Sequence, residues 1–134
     1  MRNFEKILKL ATTFRKGLER NKHILTLPTL ENFPKGSCGD ASLLLAKFLN
    51  ENGCGSFDYV LGQRNNHSHA WLEQGDLIID ITADQFNDNK NPVIVTTDNY
   101  WHKQFNGRIE HIADINRYDD HTKSTLFGIY KKLT

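Results

Sequence analysis

A cysteine, a histidine and an aspartate of this 134-residue chain have the side chains that a site with a thiol nucleophile requires, and all three lie within residues 38–80. Cys38 lies in a glycine-rich run at the start of an apolar helical pattern, and His69 and Asp80 lie in two consecutive strand-like runs. A cysteine attacks a carbonyl only as the thiolate, so it needs a base and a group that orients that base. The sequence therefore predicts a Cys-His-Asp site, with Cys38 as nucleophile, His69 as base and acid, and Asp80 as the residue that orients His69.

The surroundings of Cys38 favour a thiolate. A free cysteine has a pKa of about 8.5, so only a few per cent of it is ionised at neutral pH. The first turn of a helix offers unpaired N–H groups and the positive end of the helix dipole, which stabilise an anion. Gly36 and Gly39 leave room for a substrate carbonyl and keep the N–H of Cys38 open as an oxyanion donor. The alternative is that Cys38 is a small buried hydrophobe, a common role for a lone cysteine.

Two histidines compete for the role of base. Alternate positions of a strand share one face, so His67, His69 and Trp71 are expected on the same side. His67 and His69 could be a pair of metal ligands, or one of them could be the catalytic base while the other assists it at the rim of the site. A third interpretation is a half-buried histidine with a structural role. A metal site extended to His102 or His111 lacks further ligands at the usual spacings. We therefore predict no bound metal and no cofactor.

Asp80 interrupts an apolar run that spans residues 77–82. Burying a carboxylate costs several kcal/mol unless it is paired, so Asp80 needs a partner. A tight turn centred on Gln74 and Gly75 would form a hairpin and place His69 directly opposite Asp80. A slip of one residue would turn Asp80 to the other face of the sheet. The structural alternative is that Asp80 caps the turn after Ile79.

The hydrophobic pattern supplies the elements that must position these residues. Apolar residues recur at three and four over residues 4–19, and again from 37 or 38 to 50 or 51, which predicts two amphipathic helices. Arg15 and the other cations of the first helix are assigned to a solvated face. The predicted strands span residues 57–61, 68–73, 77–82, 92–97, 109–112 and 125–130. A two-residue or three-residue turn near Gly75 makes the second and third of these strands an antiparallel hairpin.

Length, charge and cysteine content limit the classes of protein. The length predicts one domain over residues 1–134. Lys and Arg number 17 against 16 Asp and Glu, so no net charge favours nucleic acid or an anionic membrane. The charged N-terminal residues and the lack of long apolar runs predict a cytoplasmic protein without a membrane span. Cys38 and Cys54 would lie ~20 Å apart across the second helix at ~1.5 Å per residue, which excludes a disulfide between them.

Several short motifs together resemble the transglutaminase-like core, a branch of the papain-like fold. They are Gly36-Ser37-Cys38-Gly39-Asp40-Ala41, a helix ending at Asn52-Gly53, a strand to Gly62, His69-Ala70-Trp71 and Asp80-Ile81-Thr82. The likeness covers residues 36–86. It implies an α+β fold in which a nucleophile helix packs on an antiparallel sheet, and it implies the same roles for Cys38, His69 and Asp80. Related folds place an oxyanion side chain upstream of the nucleophile, where this chain offers Asn32.

The family includes protein cross-linking enzymes, peptidases such as the leader peptidases of lasso-peptide maturation, and members that lack the triad and only bind. We predict a thiol-dependent acyl-transfer enzyme, most simply a peptidase or amidase that acts on a peptide or protein through a thioester. The alternatives are transfer to an amine, as in transglutaminases, and a binding module with a vestigial triad. The residues predicted to bind the oxyanion or substrate are Asn32, Gly36, Gly39, Trp71 and Gln85, with Asp84 and Phe86 beside them.

Overall fold

The computed structural model describes residues 3–23, 30 and 32–134. This part of the chain forms three α-helices and five strands. The helices are α1 (Phe4–Asn21), α2 (Cys38–Glu51) and α3 (Asp120–Leu133). The strands are β1 (Asp58–Arg64), β2 (His67–Gln74), β3 (Leu77–Asp80), β4 (Ile94–Thr96) and β5 (Arg108–Ile112). Short 3-10 turns lie at Ala83–Gln85, His102–Phe105 and Ile115–Arg117.

The five strands form one antiparallel sheet in the order β4-β3-β2-β1-β5. Two tight hairpins join β1 to β2 and β2 to β3. Asn65 and Gly75 open their turns with positive φ angles of 56° and 62°, which Asn and Gly adopt more readily than other residues. The predicted α+β class with an antiparallel sheet is confirmed.

Helix α2 lies at the centre of the main core. Its buried residues come from most of its circumference, because α1, α3 and one face of the sheet all pack around it. A second, smaller cluster consists of Val60, Trp71, Ile78 and Phe105, with Phe86 and Trp101 packed against it. In the described ranges, no helix has both the length and the apolar character that crossing a membrane requires.

The strand predicted for residues 125–130 is wrong, because this segment belongs to helix α3. Its buried residues, Leu126, Ile129 and Tyr130, are three and one apart, which is a helical spacing that a six-residue window does not separate from a strand. The other predicted strands are present with shifted ends. Residues 92–97 form only Ile94–Thr96, and residues 77–82 end as a strand at Asp80.

The prediction that Arg15 lies on a solvated face is wrong, because this residue is only 6% exposed. Its guanidinium donates to both carboxylate oxygens of Asp84, at 2.7 and 2.8 Å, and to the carbonyl of Ile81 at 2.7 Å. Its Nε donates to Glu19 at 2.7 Å. Asp84 therefore joins α1 to the segment that follows β3.

Candidate active site

Cys38 is the first residue of α2, as predicted. Gly36 precedes it with a φ of +71°, and the first backbone hydrogen bond of the helix runs from Ala41 N–H to the Ser37 carbonyl at 2.8 Å. The N–H of Cys38 thus belongs to the first turn, whose N–H groups have no acceptor within the helix. Cys38 is partly exposed and, like Cys54, is a free thiol. A negative charge on its sulfur is stabilised by the helix end.

His69 and Asp80 are in direct contact. Nε2 of His69 lies 2.7 Å from Oδ2 of Asp80, and the two side chains are 0% and 1% exposed. The predicted pairing of these residues is confirmed, but the predicted register is wrong. Leu72 pairs with Ile79, and the turn contains Gly75 and Asp76, so the strands are offset by two residues from the expected alignment. An offset of two keeps both side chains on the same face.

The carboxylate of Asp80 accepts hydrogen bonds on both oxygens. Oδ2 lies 2.7 Å from Nε2 of His69 and 2.7 Å from Nε2 of His102, and Oδ1 accepts from the N–H of Thr82 at 2.9 Å. Burial raises the pKa of Asp80, but the charge of His69 and the hydrogen bonds from the two rings hold this pKa far below its usual range. An ionised carboxylate can only accept, so both Nε2 atoms carry hydrogens.

Burial lowers the pKa of His69, but the negative charge of Asp80 and its hydrogen bond outweigh burial. Together with the thiol of Cys38 they raise the pKa of His69 to about 9. The ring of Phe86 meets that of His69 edge-on at 5.1 Å and helps to exclude water. Because Nε2 faces Asp80, Nδ1 is the nitrogen left for the thiol. At neutral pH His69 is therefore an imidazolium directed at Cys38.

The pKa of the Cys38 thiol is shifted downward, opposite to the shift of His69. Burial raises its pKa, but the hydrogen bond and positive charge of His69, with a hydrogen bond from the backbone of Ala70, lower it below the ordinary value. The two residues thus favour a thiolate–imidazolium pair, the reactive form of a nucleophilic cysteine. This electrostatic pairing is the main chemical feature of the site.

Glycine is favoured at positions 36 and 39 for structural reasons, which differ from the predicted one of leaving room for a substrate. Gly36 has a left-handed φ, which favours glycine whatever the space around it. A Cβ on Gly39 would lie 2.9 Å from the hydroxyl oxygen of Tyr59. Gly39 therefore makes room for a phenol of the protein itself, and that phenol lies close enough for the charge of Cys38 to raise the pKa of Tyr59, after the larger effect of burial.

The remaining predicted binding residues fall in three different places. Gln85 is at the site: its Nε2 lies 3.1 Å from Nδ1 of His69 and could donate to that nitrogen only when the ring is neutral, and its Oε1 accepts from the N–H of Gly36 at 3.5 Å. Trp71 is 2% exposed and packs against His69 at 5.6 Å, so it supports the imidazole and does not stand open to a substrate. Asn32 is exposed, and in the described ranges no contact joins its amide to Cys38 or His69.

His69, Asp80 and His102 form the one group in the described residues that could hold a metal ion, with ligand atoms within 4.8 Å of one another. The two distances of 2.7 Å to Oδ2 of Asp80 fit hydrogen bonds from Nε2–H groups, whereas a metal would need both Nε2 atoms without hydrogens. The other histidines considered as ligands lie elsewhere. His67 is exposed, and His111 stacks on Tyr59 with ring centroids 5.0 Å apart.

Sequence reasoning missed two residues of this site. His102 was considered only as a metal ligand, and Tyr59 was assigned no role. His102 begins the 3-10 turn that comes after β4, so no hairpin or periodic pattern links it to Asp80 in the sequence. Tyr59 lies in β1 beside the helix start, and only the packing of α2 on the sheet brings it to Gly39.

Comparisons of the chain with protein-family models, curated proteins and solved structures return no match. The likeness to the transglutaminase-like core therefore stays a prediction that rests on the short motifs quoted above. The fold and the contacts of Cys38, His69 and Asp80 stand independently of that likeness, because they are properties of this chain.

Proposed function

We propose that this protein is a thiol-dependent acyl-transfer enzyme of papain-like or transglutaminase-like type, most simply a peptidase or amidase. The observation that carries the proposal is the His69–Asp80 hydrogen bond beside Cys38 at the start of a helix, with the thiol close enough to His69 for the two groups to shift each other's pKa. It supplies a nucleophile, a proton donor and an orienting carboxylate, each with its pKa shifted in the direction that its role requires.

The proposed reaction begins with the thiolate of Cys38. Its sulfur forms a bond to the carbonyl carbon of an amide, and the carbonyl π electrons move onto oxygen. His69 then donates its Nδ1 proton to the amine nitrogen as the carbon–nitrogen bond breaks, which leaves a thioester and a neutral imidazole. Water or an amine attacks the thioester and gives a proton to Nδ1, so that the thiolate and the imidazolium are restored.

Two donors are proposed for the oxyanion that forms during this attack. One is the backbone N–H of Cys38, which lies in the first turn of α2 and has no acceptor within the helix. The other is the side-chain amide N–H of Gln85, whose Nε2 lies 3.1 Å from Nδ1 of His69. While His69 is an imidazolium, this N–H cannot donate to Nδ1 and stays available for the oxyanion. We assign this role to Gln85 instead of Asn32, because Gln85 lies beside His69 whereas Asn32 is exposed.

A peptide or protein is the proposed substrate class, since the attacked group is an amide. Hydrolysis and transfer to an amine share every step up to the thioester, so the acceptor alone separates a peptidase from a transglutaminase-type enzyme. A binding module with an inactive triad is the alternative. It would keep the fold without an activated thiol, and the reactivity of Cys38 therefore decides between the two.

The test compares the alkylation rates of the two cysteines of one molecule. Cys54 is a suitable internal control because it is also free and partly exposed. At about pH 6, iodoacetamide should modify Cys38 at least about tenfold faster than Cys54, since an unperturbed thiol with a pKa of about 8.5 is almost entirely protonated there. Peptide mass spectrometry after timed quenching gives both rates in the same sample.

Two histidine variants complete the experiment. His69→Ala should reduce the rate at Cys38 to that of Cys54, whereas His67→Ala should leave it nearly unchanged, because His67 is exposed and it is His69 that contacts Asp80. Equal rates at the two cysteines of the unmodified sequence would support the binding module and contradict the enzyme. A loss of rate in His67→Ala but not in His69→Ala would show that the wrong histidine is assigned.

A further inference from the structure

His102 makes a contact that the proposed reaction does not use. Its Nε2 lies 2.7 Å from Oδ2 of Asp80, the same oxygen that His69 contacts at 2.7 Å. The side chain is only 3% exposed and lies between two indole rings, with centroid distances of 4.9 Å to Trp71 and 4.8 Å to Trp101. A second imidazole is thus fixed on the carboxylate oxygen that orients the first.

The ionisation of Asp80 determines which nitrogen of His102 carries a hydrogen. Because the carboxylate can only accept, His102 must donate from Nε2, and in its neutral form Nδ1 is bare. Within the described residues Nδ1 has no hydrogen-bond partner, and His102 borders an open cavity of about 230 Å³ with Glu73, Asn99 and Lys103. The ring is therefore held by one strong polar contact, the contact to Asp80.

A carboxylate oxygen that accepts two hydrogen bonds is a weaker base than one that accepts a single bond, because each donor stabilises part of its negative charge. Asp80 is what keeps the proton on His69, and His69 must release a proton to the leaving amine in every cycle. A carboxylate without its second donor would hold the imidazolium more firmly. The second donor therefore bears directly on the acidity of His69.

We propose that His102 is a positioning residue of the Cys38 site. It acts through Asp80, where it shares Oδ2 with His69 and so limits how strongly Asp80 holds the proton of His69. The proposal deepens the proposed function and rests on it, because it assigns a regulator of acidity to the same thiol site. A purely structural role would require only the ring of His102 between its two indole neighbours.

The other charged groups near this cluster contact partners other than His69, Asp80 and His102. Lys103, which borders the same cavity, lies over the ring of Tyr100 at 5.0 Å. Arg64 forms a bidentate ion pair with Asp88 at 2.8 and 3.0 Å and lies over the ring of Phe105. Glu73 accepts from the indole N–H of Trp71 at 2.8 Å. In the part of the chain that the structure describes, Cys38 is the only further titratable side chain in direct contact with His69, Asp80 or His102.

The experiment reads the proton on His69 directly. Nitrogen NMR of the histidine rings in the full-length protein gives the pH at which each ring nitrogen loses its hydrogen. Three forms are compared: the unmodified sequence, His102→Gln, which keeps an N–H donor, and His102→Phe, which keeps a ring between the indoles but has no donor. Alkylation of Cys38 by iodoacetamide is followed in the same samples.

In the unmodified sequence His69 should lose its proton near the pKa of about 9. His102→Phe should move this transition upward by about one pH unit, a tenfold change in proton affinity. His102→Gln should move it much less, because its amide still donates to Oδ2. A transition that stays in place or moves downward in folded His102→Phe would overturn the proposal, since a structural ring does not alter the acidity of His69.

One measurement needs no variant and remains decisive if His102→Phe fails to fold. In its neutral form, His102 of the unmodified protein should carry a hydrogen on Nε2 and none on Nδ1; the opposite tautomer would overturn the proposal. A stoichiometric metal ion in the purified protein would also overturn it, since both Nε2 atoms would then be ligands.

An unactivated Cys38 would contradict the proposed function, whereas an activated Cys38 with an unmoved His69 transition would contradict the role of His102 alone.

Discussion

His69 and Asp80 meet diagonally across the hairpin of β2 and β3. The register pairs Leu72 with Ile79, so Asp80 continues it opposite Trp71 and reaches a histidine two positions along the neighbouring strand. Diagonal neighbours on one face are about 7–8 Å apart at their backbones, a gap that an imidazole and a short carboxylate together can span. The pair therefore depends on the lengths of both side chains and on Thr82, whose N–H fixes the other carboxylate oxygen.

Substitution of Asp80 should separate its charge from its hydrogen bonds. An asparagine presents one oxygen and one NH₂ group to a site in which donors approach both carboxylate oxygens, so one donor meets another donor. We expect Asp80→Asn to cost about 1–3 kcal/mol of unfolding free energy, and Asp80→Ala about 3–5 kcal/mol because its partners are left without an acceptor. Both variants should raise the pKa of Cys38, since His69 is no longer held as an imidazolium.

Urea unfolding and a thiolate titration of the same variants measure these two effects. Serine substitution of Thr82 is a suitable control, because it keeps the backbone N–H that contacts Asp80 and should leave the titration unchanged. If Asp80→Asn destabilised the fold while the titration of its folded fraction stayed as in the unmodified protein, Asp80 would be structural and the triad assignment would be lost.

Gly39 and Tyr59 should be coupled in stability. An alanine at Gly39 would bring its Cβ to 2.9 Å from the phenol oxygen, and the stacking of Tyr59 on His111 limits how far the ring can withdraw. Gly39→Ala should therefore destabilise the protein by about 1–3 kcal/mol. In a Tyr59→Phe background the same change should be neutral or stabilising, because alanine favours a helix over glycine by up to about 1 kcal/mol. Thermal or urea unfolding of the double-mutant cycle tests the coupling, and additive effects would contradict it.

The sequence predicts the local parts of this site well and the long-range parts poorly. The bounds of α2, the position of Cys38 at its start and the shared face of His69 and Trp71 all follow from periods of 3.6 and 2, which short stretches of sequence carry. The register does not follow, because the position of a two-residue turn near Gly75 can shift without changing the pattern. An error of two residues preserved the face of Asp80, and so the predicted contact was correct although the predicted alignment was wrong.

The contacts that sequence reasoning missed are made by residues far apart in the chain. Arg15 and Asp84 are 69 positions apart, and His102 and Asp80 are 22 apart across a loop. From the sequence, Arg15 resembles the other cations of its helix and is assigned to solvent, because only the tertiary structure brings Asp84 to it. Such pairings depend on how the elements pack, and a single sequence holds no periodic signal for them.

Arg15 should be necessary for the segment that carries the site. Its guanidinium joins α1 to Ile81 and Asp84, which directly follow β3 and precede Gln85. Arg15→Ala leaves Asp84 without its cation and the Ile81 carbonyl without a donor, so we expect a loss of about 3–5 kcal/mol in unfolding free energy. Arg15→Lys should cost less but still measurably, because an ammonium cannot donate in the bidentate geometry. Arg20→Ala, at an exposed position of the same helix, is the control and should change stability by less than about 0.5 kcal/mol.

The ionisation of His69 and Cys38 should be visible in the pH dependence of stability. His69 has a pKa raised to about 9 in the folded state against 6.5 when unperturbed, so its contribution is fully present below about pH 6.5 and is lost as the pH rises toward 9. The lowered pKa of Cys38 acts in the opposite sense, because the folded thiol has lost a proton that the unfolded thiol keeps up to about pH 8.5. Above the pH at which the folded thiol ionises, the two effects offset each other.

Removal of the thiol should therefore reveal the pH dependence of the unfolding free energy that His69 alone would give. In Cys38→Ala the charge of Asp80 still raises the pKa of His69, but no thiolate compensates for it. The unfolding free energy of Cys38→Ala should fall as the pH rises above about 6.5, with a slope of at most about 1.4 kcal/mol per pH unit. The unmodified protein should fall less steeply between the pH at which its folded thiol ionises and about pH 8.5. Cys54→Ala should follow the unmodified protein. Urea unfolding across this range measures all three profiles, and equal slopes in Cys38→Ala and Cys54→Ala would show that no thiolate–imidazolium pair forms.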